Sequence, residues 1–233
     1  MRFSLIVPMY NESTIIRDTV RTLSAYLQAR VGEYELIFVD DGSTDESADL
    51  VRQMAVPHCR VISYTPNHGK GYAVKTGMLE AAGDVVMFLD ADLAYGTGVI
   101  EQVLAALEQH PERDLLIGSR VLHPEGYAGY TFIRKIASKI FIRILNLVGG
   151  FRLSDSQCGC KAFRLAVCRD LFSRVETEGF AFDFEILLWA QKLGYSIYEL
   201  PVKIINHRES KVHVVRDTFR MLRAVAEMKK RMQ

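Results

Sequence analysis

The sequence has no uncharged apolar run near 18 residues, so it offers no helix able to span a bilayer, although one face of a membrane can still be touched. Its opening, MRFSLIVPMYNES, turns polar after Pro8, too soon for the apolar core of a secretory signal. Only four cysteines occur, and Cys158-Gly-Cys160 lacks the paired spacings of a zinc site, which excludes a disulfide scaffold and points to free thiols in a reducing compartment. Charge of either sign is not in excess: 29 Lys plus Arg face 28 Asp plus Glu, and the resulting +1 removes any global case for nucleic-acid binding. GxGxxG, GxxxxGK[ST], HExxH and GxSxG are all missing, which argues against a dinucleotide dehydrogenase, a P-loop NTPase, a zincin and an α/β-hydrolase. There is no internal repeat and no low-complexity tract.

What is present is a rhythm. FSLIVP, YELIFVD, RVISY, DVVMFLD and DLLIGS are short apolar runs, and helical patterns follow the first four over Ser13 to Arg30, Thr44 to Met54, Gly71 to Ala82 and Val99 to Gln109. Such alternation predicts an α/β fold, an open and mainly parallel sheet flanked by helices, whose ligands bind at the carboxyl ends of the strands. Polar residues gather at those ends: Pro8, Tyr10, Asn11 and Glu12; Asp40 and Asp41; Asn67 to Gly71; Asp90 and Asp92. The expected organisation is one domain over 1–233, with residues 1–119 holding the ligand and 120–233 completing the site.

Asp90 and Asp92 end an apolar strand two residues apart, which puts both carboxylates on one face within roughly 7 Å. A magnesium or manganese ion would relieve their repulsion, because these hard cations accept one or two carboxylates and take the rest of their shell from phosphates and water. The alternative is a pair of solvated turn carboxylates. Asn67-His68-Gly69-Lys70-Gly71 precedes a helix, where backbone amides or Lys70 can face phosphate, while His68 reads as a loop residue. In Asp40-Asp41-Gly42-Ser43, Ser43 or Thr44 is expected to cap the next helix, leaving Asp40 at the sheet edge to accept hydrogen bonds from a base or ribose.

Two segments are amphipathic and basic. In 131–148 an apolar arc of Phe132, Ile133, Ile136, Ile140, Ile144 and Val148 runs beside Lys135, Lys139 and Arg143; 213–232 is similar. Each either lies on a membrane surface or turns its apolar face to the core.

Taken together, LIVPMYNE, VDDGSTD, NHGKGYAV, DADL, GSR, DSQCGCKAFR and GFAFDFEIL resemble the family 2 glycosyltransferases of GT-A fold, and within them the polyprenyl-phosphate sugar transferases of dolichyl-phosphate β-glucosyltransferase type. The resemblance implies inverting, metal-dependent transfer of a hexose from a nucleotide sugar, here glucose from UDP-glucose, to a polyprenyl phosphate. It implies that Pro8, Tyr10, Glu12 and Asp40 hold the nucleoside, that Asp90, Ala91 and Asp92 form the metal and diphosphate site, and that Arg120 sits near the donor. Arg208 and Lys211 would belong to a late basic loop over the diphosphate, with Asp155 and Gln157 orienting the reacting groups. Ala94 stands where mannose-transferring relatives often carry Gln or His, which favours glucose over mannose. Arg134, Lys135, Lys139 and Arg143 are the expected dock for the acceptor phosphate. Asp183 and Glu185 are candidate bases or loop braces. The expected location is cytoplasmic, at the cytoplasmic face of a membrane. A GDP-mannose transferase, a soluble-acceptor transferase and a nucleotide-sugar sensor are the competing readings.

Overall fold

The computed structural model describes residues 1–150 and 152–206, with 224, 225, 227, 228, 230 and 231 beyond; of 133, 134 and 137 only the backbone is described. The first strand, β1 (Arg2–Met9), buries every residue but Arg2. Helices on both sides of the sheet make that burial possible, because alternate side chains enter different cores: Phe3, Leu5 and Val7 join one, Ile6 the other.

The chain continues through α1 (Ile16–Arg30), β2 (Glu33–Asp40), α2 (Ser47–Gln53), β3 (Cys59–Ser63), α3 (Lys70–Glu80), β4 (Val85–Leu89), α4 (Gly98–Gln109) and β5 (Leu115–Ser119). After these come α5 (Phe132–Gly149), β6 (Cys160–Arg164), α6 (Leu165–Arg174), α7 (Phe182–Lys192) and β7 (Ile197–Pro201). Seven strands form one sheet in the order β3-β2-β1-β4-β6-β5-β7. The expected α/β architecture is observed, with one difference. β5 does not extend the parallel set; β6 lies between β4 and β5, antiparallel to both, and β7 closes the edge parallel to β5. The five residues CKAFR carry a lysine in a buried strand, so neither alternation nor a continuous apolar run announces them.

Helices α1, α2 and α4 cover one face through Val20, Leu23, Leu50, Val51, Val103 and Leu107. On the other face lie α3, α6 and α7, with Leu145 of α5 and, from the last stretch, Val225 and Met228. Two helices begin later than expected. Asn11 takes a left-handed backbone (φ 52°), and residues 12–15 form a turn before α1, while α2 starts at Ser47. α3 presses hard on the sheet: a Cβ on Gly77 would lie 2.4 Å from Ile6 Cγ2 and 2.8 Å from Val39 Cγ2. Both neighbours are β-branched core residues without a free rotamer to retreat into. Gly77→Ala should therefore lose about 1–2 kcal/mol of stability, overpacking outweighing the gain in helix propensity, as read by chemical denaturation.

Candidate active site

The ends of β1 and β2 are stitched together by side chains. Met9 pairs with Asp40 in the parallel register, placing Pro8, Tyr10 and Glu12 beside the Asp40 loop. Ser43 Oγ accepts the Asn11 N–H at 2.9 Å, Asn11 Oδ1 accepts from Thr44 N at 2.8 Å, and Ser47 Oγ accepts the Glu12 N–H at 2.8 Å. Ser43 and Thr44 thus do not cap α2, contrary to expectation; they hold the neighbouring loop. Asp45 binds the Ser47 N–H at 3.0 Å instead. The adjacent carboxylates divide their tasks. Asp41 is fully engaged, accepting from Tyr64 Oη (2.9 Å), Asn67 Nδ2 (2.7 Å), His68 N (3.0 Å) and Gly69 N (2.8 Å). It fixes the loop before α3, and His68 stacks on Tyr72 there. Asp40 is also buried, and its Oδ1 accepts the Ser43 N–H at 3.2 Å.

Asp90 and Asp92 leave β4 in a tight turn. Leu93 has φ 49°, Ala94 N donates to Asp92 Oδ1 at 3.0 Å, and Thr19 of α1 ties down the Ala91 carbonyl at 2.8 Å. Burial, and next the charge of Asp90, push the Asp92 carboxyl above the usual carboxylate range. Lys70, the first residue of α3, places Nζ 2.6 Å from Asp90 Oδ1. Burial opposes the Lys70 charge, but Asp90 and Asp183 outweigh it, and the ammonium is held above the ordinary lysine range. Beneath them Lys161, fully buried on β6, donates to Asp183 Oδ1 at 2.7 Å and to the Cys158 carbonyl at 2.8 Å. Burial raises the Asp183 carboxyl, with Lys161 and Lys70 pulling the other way.

Two like charges with cations drawn to them fit a divalent ion. Among the described residues no third His, Cys, Asp or Glu completes a cluster with them. That suits magnesium or manganese, which would complete its shell from phosphate and water.

On the other side of β6, Asp155 is fully buried and grips Arg120 through Nε at 2.6 Å and Nη2 at 2.9 Å. This two-pronged pair leaves Nη1 outside it, and the guanidinium also lies 5.7 Å from the centre of the Tyr127 ring. Arg120, Leu122, His123, Tyr127, Lys135 and Lys139 line a cavity of about 480 Å³. The segment between Asp155 and Gly159 joins the cavity to the carboxylate pair, since a Cβ on Gly159 would lie 2.1 Å from Asp90 Oδ2.

The expected residues fare differently. Lys135 and Lys139 reach the cavity with Arg120; Arg143 is not among its walls, and the side chain of Arg134 lies outside the described residues, as do Arg208 and Lys211. Gln157 has Nε2 buried without a hydrogen-bond partner among the described residues. Of the two alternatives for Glu185 the geometry is that of a brace: it is fully buried, accepts from Thr177 N at 2.8 Å and Glu176 N at 3.2 Å, and pairs with Arg231. The arc on α5, left open between a surface and the core, faces outward. Phe132, Ile136, Ile140 and Ile144 are exposed, and Leu147 is 85% exposed, while Ile142 and Leu145 turn inward. All four cysteines are free, and burial pushes the Cys158 thiol up to about 11. Sequence reasoning missed Gly159 and Lys161; a lone lysine inside the apolar run CKAF was the available signal.

The sheet with its added antiparallel strand is that of the GT-A type. The model of Glycosyl transferase family 2 matches residues 4–172, and the chain belongs to that family. It is similar to Dolichyl-phosphate beta-glucosyltransferase ALG5C of Trichomonas vaginalis, with 32% identity over 91% of this chain and 66% of the relative. It is likewise similar to the dolichyl-phosphate beta-glucosyltransferase of Drosophila melanogaster, with 34% identity over 87% and 67%. The chain thus spans about two thirds of the length of these relatives. Among solved structures, glucosyl-3-phosphoglycerate synthase from Mycobacterium tuberculosis with phosphoglyceric acid has the same fold, with TM-score 0.75, 18% identity and coverage of 97% and 79%. The same enzyme with Mn2+, UDP-glucose and phosphoglyceric acid gives TM-score 0.72 and 20% identity, covering 97% and 78%.

Removing Asp155 would leave the Arg120 guanidinium, 12% exposed, without its partner. Asp155→Ala should lower unfolding free energy by about 3–5 kcal/mol, measured in urea.

Proposed function

We propose that the chain transfers a hexose, glucose from UDP-glucose, to a polyprenyl phosphate with inversion at the sugar. The observation that carries this reading is the Asp90/Asp92 pair at the crevice end of β4, flanked by Lys70 and joined through Gly159 to the Arg120 cavity. Similarity over most of the chain to dolichyl-phosphate beta-glucosyltransferases supports the lipid acceptor. A solved neighbour of the same fold, bound to Mn2+ and UDP-glucose, supports the donor and the metal.

On this reading Asp90 and Asp92 hold a magnesium or manganese ion, which when bound supplies Lewis-acid neutralisation of the leaving diphosphate. Pro8, Tyr10, Glu12 and Asp40 receive the nucleoside. Lys70 addresses the diphosphate. The acceptor oxygen attacks the anomeric carbon in line, through an oxocarbenium-like transition state. A phosphate monoester has a second pKa of about 6, so it is already nucleophilic near neutrality and no strong base is required. It needs cations to dock it, and Arg120, Lys135 and Lys139 face one cavity. Asp183 is poorly suited to be a base, because Lys161 holds it.

No helix among the described residues is long and apolar enough to cross a membrane. α5 instead offers an exposed row of Phe132, Ile136, Ile140 and Ile144 beside Lys135, Lys139 and Arg143, the pattern of a helix lying in an anionic lipid surface. The double variant Ile136→Glu, Ile140→Glu should bind vesicles containing anionic lipid at least tenfold more weakly while keeping its melting temperature, as followed by sedimentation.

The direct test incubates purified protein with labelled UDP-glucose or GDP-mannose and either short polyprenyl phosphate or phosphoglyceric acid, with manganese or with chelator. Lipid-linked glucose that disappears with chelator, and with Asp92→Ala, is expected. Product from GDP-mannose would replace the donor, product on phosphoglyceric acid the acceptor, and normal turnover by Asp92→Ala would overturn the metal assignment.

A further inference from the structure

The side chain that touches Asp90 is rooted unusually firmly. Gly69, with φ 112°, turns the chain into α3, and the Glu178 carbonyl accepts the Tyr72 N–H at 3.1 Å, pinning the start of the helix to the segment before α7. The same segment also presses on the next residue: a Cβ on Gly71 would lie 2.5 Å from the Thr177 carbonyl oxygen. From this anchored base the Lys70 ammonium reaches Asp90 Oδ1 at 2.6 Å. On its other oxygen Asp90 is crowded by the backbone of Gly159, where an added Cβ would lie 2.1 Å from Oδ2. The neighbouring carboxylate of Asp183 already has the buried Lys161 ammonium at 2.7 Å.

We propose that Lys70 is a resident counter-cation that competes with the divalent ion for Asp90, and that it couples ion binding to nucleotide binding. The inference rests on the reading of Asp90 and Asp92 as the metal carboxylates. An ammonium and a divalent cation cannot both stand at contact distance from one confined carboxylate without strong repulsion. A lysine, unlike an arginine fork, is a point charge on a flexible four-carbon stem and can leave one anion for another while its backbone stays fixed. The diphosphate of the nucleotide is the anion that receives it. In the absence of nucleotide Lys70 therefore weakens ion binding; in its presence Lys70 strengthens the complex. Linkage makes the effect reciprocal, since the nucleotide raises ion affinity by the factor by which the ion raises nucleotide affinity. Lys70 is on this account a positioning residue of the loaded site, and the Asp90 carboxylate is neutralised at every stage.

The test measures Mn2+ binding by electron paramagnetic resonance, and UDP binding by calorimetry, for the wild type, Lys70→Met, Lys70→Gln, Lys70→Arg and Asp92→Ala. Thermal melting establishes which variants are folded, and Lys70→Gln serves if Lys70→Met is not. The neutral variants should bind Mn2+ alone more tightly, on the order of tenfold. They should bind UDP more weakly when Mn2+ is present, with the coupling between the two ligands reduced. Lys70→Arg should restore most of that coupling. If neutral variants bind Mn2+ alone no tighter than the wild type, the competition is overturned while the metal reading stands. If the wild type fails to bind Mn2+ even with UDP, or Asp92→Ala binds it equally well, the metal reading itself falls and this inference with it.

Discussion

Two carboxylates of like charge stand just beyond β4, a strand buried along its whole length, and both are only partly exposed to solvent. Burial and the neighbouring charge together disfavour ionisation of Asp92. The surrounding elements answer this constraint. α3 begins with the lysine that meets Asp90, Gly159, against which Asp90 rests, immediately precedes β6, β6 carries the lysine beneath it, and the first turn of α7 holds the carboxylate paired with that lysine. The insertion of β6 between β4 and β5 is thereby understandable in physical terms. Pairing antiparallel to β4, with Leu89 opposite Cys160, it sets Gly159 beside the residue that follows β4.

Rigidity around that centre comes from polar side chains bonded to backbone, not from helix caps. Asn11, Ser43 and Ser47 fasten the first two strand ends, and Asp41 collects four donors from the third. Buried carboxylates with this many donors are costly to leave half-satisfied and stiff once complete. Asp41 therefore shapes the crevice with its oxygens occupied, whereas Asp40 next to it accepts from Ser43 N. Asp155 and Asp183 are likewise buried and engaged, each paired with one cation, Arg120 and Lys161 respectively.

The order of strands β1 to β5 was legible in the sequence because each is an apolar run bounded by turn residues, and the convergence of polar residues at their ends followed from topology alone. β6 and β7 were not legible, being five residues long with charged or polar members that give no period. At the site, Asp90, Asp92, Lys70, Arg120 and Asp155 were each noticed, but their pairing was not: nothing in the spacing of Arg120 and Asp155, 35 residues apart, records a two-pronged contact. Ser43 and Thr44 were misread since a hydroxyl ahead of a helix has two uses, and the left-handed backbone of Asn11 decided between them. The direction of the α5 arc was undetermined for a similar reason. Its periodicity fixes which residues share a face, and only the position of Leu145 against the core says which face looks outward.

The site thus has two cationic places of different character, separated by the Asp155–Gly159 segment. At one, Lys70 faces carboxylates, and positive charge there is useful only once an anion and an ion arrive together. At the other, Arg120 is held by a single buried carboxylate and stands with Lys135 and Lys139 in a cavity whose cations outnumber its one acidic wall residue, Glu125. A phosphate entering the second place meets a field already positive, while a diphosphate entering the first must displace an existing ion pair. Two phosphorylated ligands of one reaction would then be distinguished by electrostatics before any contact with the sugar. On the proposed reading, the ligand that carries its own divalent ion is favoured where carboxylates dominate, and the ligand that arrives without one is favoured beside α5, whose exposed apolar row would give a lipid chain somewhere to lie.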